Sequence, residues 1–204
     1  MTQVSTPSNK SEINIKHQNL NKVQANTVTV QHGSAQEIHA DTVIVSQAGA
    51  QNIEAQTVEV RQGGVQSVRA DTLNIRQGGV VQASVDNLAI TQGGIVFVDT
   101  KDATLTASTV GAVLSSGEVK LDQSVARAVI TRGDVTMEQS GTAIVIGRQV
   151  KTGDNSGVLL LITGHVDGNV KAVFGPAAGV AFGAAFALVL FFVTWLRRRW
   201  FYVR

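Results

Sequence analysis

The chain has 204 residues, no cysteine, two prolines and twenty glycines, and a formal net charge of +2. That length holds one domain or two small ones, and the lack of cysteine excludes disulfide scaffolds, thiol nucleophiles and cysteine-ligated metal centres. Of ten aromatic residues only Phe97 precedes Phe174; up to Lys171 thirteen Lys or Arg face fifteen Asp or Glu, so the basic pI belongs to Arg197, Arg198, Arg199 and Arg204 and gives no ground for nucleic-acid binding by the body.

Residues 1–11 form a polar N-terminal segment without the apolar stretch of a secretory signal. From Val23 the chain repeats every fifteen residues: VQANTVTVQHGSAQE, IHADTVIVSQAGAQN, IEAQTVEVRQGGVQS, VRADTLNIRQGGVVQ and a looser ASVDNLAITQGGIVF. Within each unit apolar or small residues recur at a sub-period of five, as in Val68-x-Ala70, Leu73-x-Ile75 and Gly78-x-Val80. Each pair alternates like a short strand with two inward residues, and three such strands make one turn of a triangular coil.

Ten rungs can be followed in one pair of inward positions: Ile13/Ile15, Val28/Val30, Val43/Val45, Val58/Val60, Leu73/Ile75, Leu88/Ile90, Ala103/Leu105, Val119/Leu121, Val135/Met137 and Val150/Thr152. The step is fifteen residues up to Leu105, then sixteen, sixteen and fifteen. Residues 12–171 therefore read as an all-β solenoid, a triangular β-helix about 45 Å long at roughly 4.8 Å per rung. Such narrow sides leave no room for aromatics. Gly33, Gly63, Gly78 and Gly93, and the following row Gly49, Gly64, Gly79 and Gly94, read as corner residues that need permissive backbone angles or close packing. Their recurrence every turn argues against a nucleotide loop.

His17, His32, Gln47, Gln62, Gln77 and Gln92 share one outward slot and read as a polar ladder. A metal site at His17 and His32 lacks a carboxylate. Calcium at Asn26, Asp41, Gln56, Asp71 and Asp86 is interrupted by Gln56. That column and its neighbour Thr27, Thr42, Thr57, Thr72 and Asn87 read as corner chemistry; the threonine column is one residue wide and its neighbours Ile44, Glu59 and Asn74 share no pattern, which argues against an ice-binding array. The four histidines, at 17, 32, 39 and 165, accompany no nucleophile elbow. The expectation is a protein that is not an enzyme, with no cofactor, no metal and no small-molecule substrate.

Residues 172–196 carry no charge, and the twenty residues after Pro176 are long enough to cross a bilayer. Pro176 suits a first helical turn. Trp195, Arg197, Arg198, Arg199, Trp200 and Tyr202 read as an interfacial anchor in and beside the basic aromatic tail 197–204. Gly175, Gly179, Gly183 and Ala187 line one small helix face suited to helix packing. The four terminal arginines favour a cytoplasmic tail, whereas a long N-terminal domain without a signal favours a cytoplasmic coil. The latter is adopted: a single-pass C-terminal anchor with the coil in the cytoplasm.

The short Val-x-Ala and Val-x-Val rungs with glycine corners, and most locally Gly164-His165-Val166-Asp167-Gly168-Asn169-Val170, resemble the bactofilins over residues 12–171. These are bacterial cytoskeletal proteins with a triangular β-helix. The resemblance implies head-to-tail polymerisation into membrane-associated filaments, without nucleotide or catalytic residues. The fifteen-residue RQGG repeat and the C-terminal position of the hydrophobic span depart from that family's pattern. The partners expected are the lipid bilayer and further copies of the chain. The competing expectation is a membrane-tethered binding module or stalk, recognising a cell-envelope polymer or a protein through the Gln column or the group Arg61, Arg69 and Arg76.

Overall fold

β-Branched residues two apart favour extended backbone, and residue after residue of this kind leaves the chain one way to bury them. In the computed structural model, which describes residues 3–5, 12–168 and 171–172 together with residues 184 and 187, the chain forms a parallel β-solenoid of about ten turns. Its strands are β1 (Gln3–Ser5), β2 (Glu12–Lys16), β3 (Asn19–Gln31), β4 (Ser34–Ser46), β5 (Gly49–Arg61), β6 (Gly64–Arg76), β7 (Gly79–Thr91) and β8 (Gly94–Thr106). They continue as β9 (Thr109–Ser115), β10 (Val119–Asp122), β11 (Val125–Thr131), β12 (Asp134–Glu138), β13 (Gly141–Thr152), β14 (Gly157–Gly168) and β15 (Lys171–Ala172). Residues 1–171 form one compact unit and 172–204 another.

Each turn has three sides. β5 pairs with β6 at residues 49–50, 52–55 and 57–61, skipping Gln51 and Gln56. Those two positions are corners inside a continuous strand, and Gln62 is the third. Inward residues stack on their counterparts one turn away: Val28, Val43, Val58, Leu73 and Leu88 are all buried, as are Val30, Val45, Val60, Ile75 and Ile90. Burying each such side chain contributes about 1.5–3 kcal/mol.

The register steps by fifteen as far as Leu105, then Leu105 pairs with Leu121, Leu121 with Met137 and Met137 with Thr152. The first extra residue sits at a corner. Thr100 pairs with Ser115 and Ala103 with Val119, so Ser116, Gly117 and Glu118 turn where Lys101 and Asp102 turn below them. Asp102 steadies the longer corner by accepting the Glu118 N–H at 2.7 Å.

The glycines divide into two kinds, and neither row has the positive φ expected of a permissive corner. In the first row the space is taken by backbone: a Cβ on Gly63 would lie 2.5 Å from the Ala48 carbonyl, and one on Gly78 2.7 Å from that of Gly63. In the second row Gly64 faces open space and Gly79 meets nothing closer than 3.8 Å. From the eighth turn the crowded slot passes to buried Ser108, Ser124, Ser140 and Ser156. The Ser108 N–H donates to Ser124 Oγ at 3.1 Å, Ser124 to Ser140 at 3.2 Å and Ser140 to Ser156 at 3.3 Å, while three of the hydroxyls donate to the carbonyls of Thr106, Asp122 and Glu138. Thr152, in the inward slot above Met137, is the exception: its buried hydroxyl has no partner, at a cost of about 1–3 kcal/mol.

Of the polar N-terminal segment, Gln3–Ser5 lies in parallel register beside Lys22–Gln24. The expected transmembrane span and tail fall almost wholly outside the described residues. Among those described, no helix is long and apolar enough to cross a membrane. The two glycine rows should respond oppositely to one methyl group. Gly78→Ala is expected to lower stability by about 1–3 kcal/mol and Gly79→Ala to change it by less than about 0.5 kcal/mol, measured by urea unfolding of the two variants.

Candidate functional site

The polar ladder occupies the third corner of every turn, where the chain must swing onto a new side without losing its axial hydrogen bonds. Its residues take up the left-handed conformation: His17, His32, Gln47, Gln62, Gln77 and Gln92 have φ between 51° and 55°. Ala107, Gln123, Gln139 and Asn155 continue the series. Backbone pairing survives the corner on both flanks, since Gln62 N donates to the Arg76 carbonyl at 3.0 Å and Gly64 N to that of Ala48 at 3.2 Å. A non-glycine residue there costs about 1–2 kcal/mol.

The side chains stack along the axis. Gln47 Nε2 donates to Gln62 Oε1 at 3.0 Å, Gln62 to Gln77 at 3.1 Å and Gln77 to Gln92 at 3.2 Å. The His17 and His32 rings are stacked 5.1 Å apart and nearly parallel, at 5°. No group of three or more His, Asp or Glu able to hold a metal occurs among the described residues. Beside the amides runs a shallow groove of about 420 Å³, lined by Arg61, Arg76 and Thr91 with the glutamines. Arg61 is committed to Glu59 through two bonds of 2.8 and 2.9 Å, which leaves Arg76 as the cation open to a ligand. Arg69 stands apart from it, one side of the coil away.

The second side of the coil carries the other polar cluster. His39 Nε2 donates to Glu37 at 2.7 Å, its Nδ1 lies 3.1 Å from Glu54, and Lys22 is 3.3 Å from Glu37. Hydrogen bonds from His39 and then Lys22 hold the Glu37 carboxyl below its ordinary value; the Arg61 hydrogen bond does the same for Glu59 against the opposing effect of burial. Of the Asx column, Asp86 pairs with Lys101 at 2.8 Å. These are solvated charge pairs of the kind that decorate a rod.

Further along, the same side changes character. Its two outward columns run Phe97, Ala112, Ala128, Ile144, Leu160 and Asp99, Leu114, Ile130, Ile146, Ile162. Leu114, Ile130, Ile144, Leu160 and Ile162 are between 36% and 53% exposed. The fifteen-to-sixteen step that locates the inward rungs also locates these columns, yet reading only inward positions passes over them.

Gly175, Gly179, Gly183, Trp195, Arg197, Arg198, Arg199, Trp200 and Tyr202 lie outside the described residues; Ala187 is helical and exposed. Within the stretch that starts at Gly164, Val166 stacks above Val150, and Gly168 has φ 103°. No family model, curated protein or solved structure matches the chain.

Substitution at the left-handed corner separates strain from side-chain bonding. Gln62→Gly trades the φ strain against two exposed amide bonds and is expected to stay within about 1 kcal/mol of the parent. Gln62→Val keeps the strain, adds branching and is expected to lose about 2 kcal/mol or more in thermal unfolding. The lowered carboxyls set the acid response. Their contribution is complete above the unfolded value and is lost as pH falls through the lowered one, so stability declines from about pH 5 towards pH 3. Glu59→Gln should shrink that decline, and added salt should weaken it, in denaturant titrations at each pH.

Proposed function

We propose that the chain is a non-enzymatic, membrane-anchored structural rod that self-associates end to end, as its resemblance to bactofilins implies. One observation supports this reading above the others. Leu161 and Val166 take the inward slots above the fully buried Val145 and Val150, yet Leu161 is only partly covered and Val166 is 40% exposed. A solenoid turn whose core positions remain partly open, with only Lys171–Ala172 paired beyond it among the described residues, is a template for another turn. The uncharged stretch 172–196 supports anchorage to the bilayer.

A second reading rests on the groove beside the glutamine ladder. Arg76 stands there without a described carboxylate within salt-bridge distance, next to a row of amides that hydrogen-bond along the axis. An extended anionic polymer or a strand of a partner protein fits that chemistry. Loss of binding in an Arg61→Ala/Arg76→Ala variant, with assembly unchanged, would favour it.

The primary reading is tested with the full chain in detergent, by sedimentation at several concentrations and negative-stain microscopy. Filaments that lengthen with concentration, and that Val166→Asp reduces to single rods, are the expected result. Single rods of uniform length at every concentration would overturn end-to-end assembly.

A further inference from the structure

Two outward columns on the second side turn apolar together, next to the exposed Val81, Val96 and Leu159 of the preceding corner. Nearer the N-terminus the same two columns hold Glu37, His39, Asn52, Glu54, Ser67 and Arg69. On the neighbouring third side the first outward column stays polar to its end, from Thr27 and Thr42 to Gln149 and His165, and the next includes Ile44 and Ala89. The change begins at Phe97, beside the exposed Asp99, and is complete in both columns over the four turns from Ala112 and Leu114 to Leu160 and Ile162.

Three arginines lie on its edges, with Glu118 and Asp134 beside the second edge. Arg127 occupies the corner before this side and Arg132 and Arg148 the corner after it; all three are exposed. Arg148 is paired with Asp134 at 3.2 Å, whereas Arg127 and Arg132 make no ion pair with a described residue. An apolar strip with arginines on both edges matches the chemistry of an anionic lipid interface, where the hydrocarbon side chains enter the headgroup boundary and the guanidinium groups meet phosphates.

A second copy of the chain fits less well. Two-fold pairing brings like edges together when the coils run antiparallel and opposite edges together when they run parallel, and both edges carry arginine. The strip also measures only about 20 Å by 13 Å, well under the roughly 800 Å² per partner of a stable pair. Continuity points the same way, because the strip extends to Ile162, ten residues before the uncharged stretch 172–196 begins.

We propose that the second side from Phe97 to Ile162 lies against an anionic lipid surface, with Arg127 and Arg132 at the headgroups. This rests on the anchored reading and adds to it that the coil lies along the membrane and does not stand away from it.

Because the chain has no cysteine, single cysteines can report position. The full chain carrying Ile130→Cys, or Thr104→Cys on the third side as control, is labelled with an environment-sensitive fluorophore. It is then reconstituted into vesicles of equal parts phosphatidylcholine and phosphatidylglycerol, with nitroxide-labelled lipid as quencher. Ile144→Cys provides a second probe position should Ile130→Cys misfold. The expected result is at least about twofold quenching at Ile130 and none at Thr104, with the quenching roughly halved by Arg127→Glu/Arg132→Glu. Vesicles that float with the chain while the Ile130 label stays as wet as the control would overturn the lipid-facing side alone. A label shielded from water but not quenched by lipid, with Ile130→Cys chains cross-linking to one another, would overturn it in favour of a second copy. A chain that does not float with vesicles would overturn both this proposal and the anchored reading beneath it.

Discussion

Everything in this molecule depends on keeping backbone N–H and C=O groups parallel to the coil axis while the chain turns through three corners per rung. Two corners are made inside continuous strands, at positions such as Gln51 and Gln56, by skipping one residue of pairing. The third requires a left-handed residue, and ten of these succeed one another from His17 to Asn155. The strain is tolerated because the N–H of the corner residue still reaches the next turn and that of the residue two further on reaches the preceding one. A slip of one residue would exchange every inward side chain for an outward one, so the register is held by burial as well as by hydrogen bonds.

That constraint explains how the coil absorbs its irregularities. Extra residues enter at corners, where Ser116–Glu118 replaces a two-residue turn, and leave the stacked inward positions undisturbed. The crowded slot after the left-handed corner admits glycine because a carbonyl of the neighbouring turn already fills the place of a Cβ. Where the turns lengthen to sixteen residues, serine takes over and converts the same close approach into a buried hydrogen-bonded column. Both solutions answer one geometric problem, with a missing side chain in one half and a bonded one in the other.

The two halves also differ outside. Towards the N-terminus the surface is built from short-range pairs, such as Arg61 with Glu59 and His39 between Glu37 and Glu54, which keep the coil solvated. Towards the C-terminus one side turns apolar and the last core positions are left partly open.

The repeat of fifteen, the inward rungs and even the change of step after Leu105 were legible in the sequence, because side chains stacked one rung apart must be alike in size and polarity wherever they occur. The ladder from His17 to Gln92 was legible for the same reason. Its left-handed backbone was not, since glycine beside glutamine suggests that glycine makes the turn, and only the three-dimensional path shows that glutamine bends while glycine yields space to a carbonyl. The serines at 108, 124, 140 and 156 carried a readable period of sixteen, but their burial depends on which side of the corner faces the core. Sequence alone thus determined the coil, its core and its period, which follow from local alternation and one-dimensional repetition. Tertiary structure decided which residues bear the strain of turning and which outward columns gather into one apolar side, because both depend on how residues fifteen or sixteen apart are brought face to face.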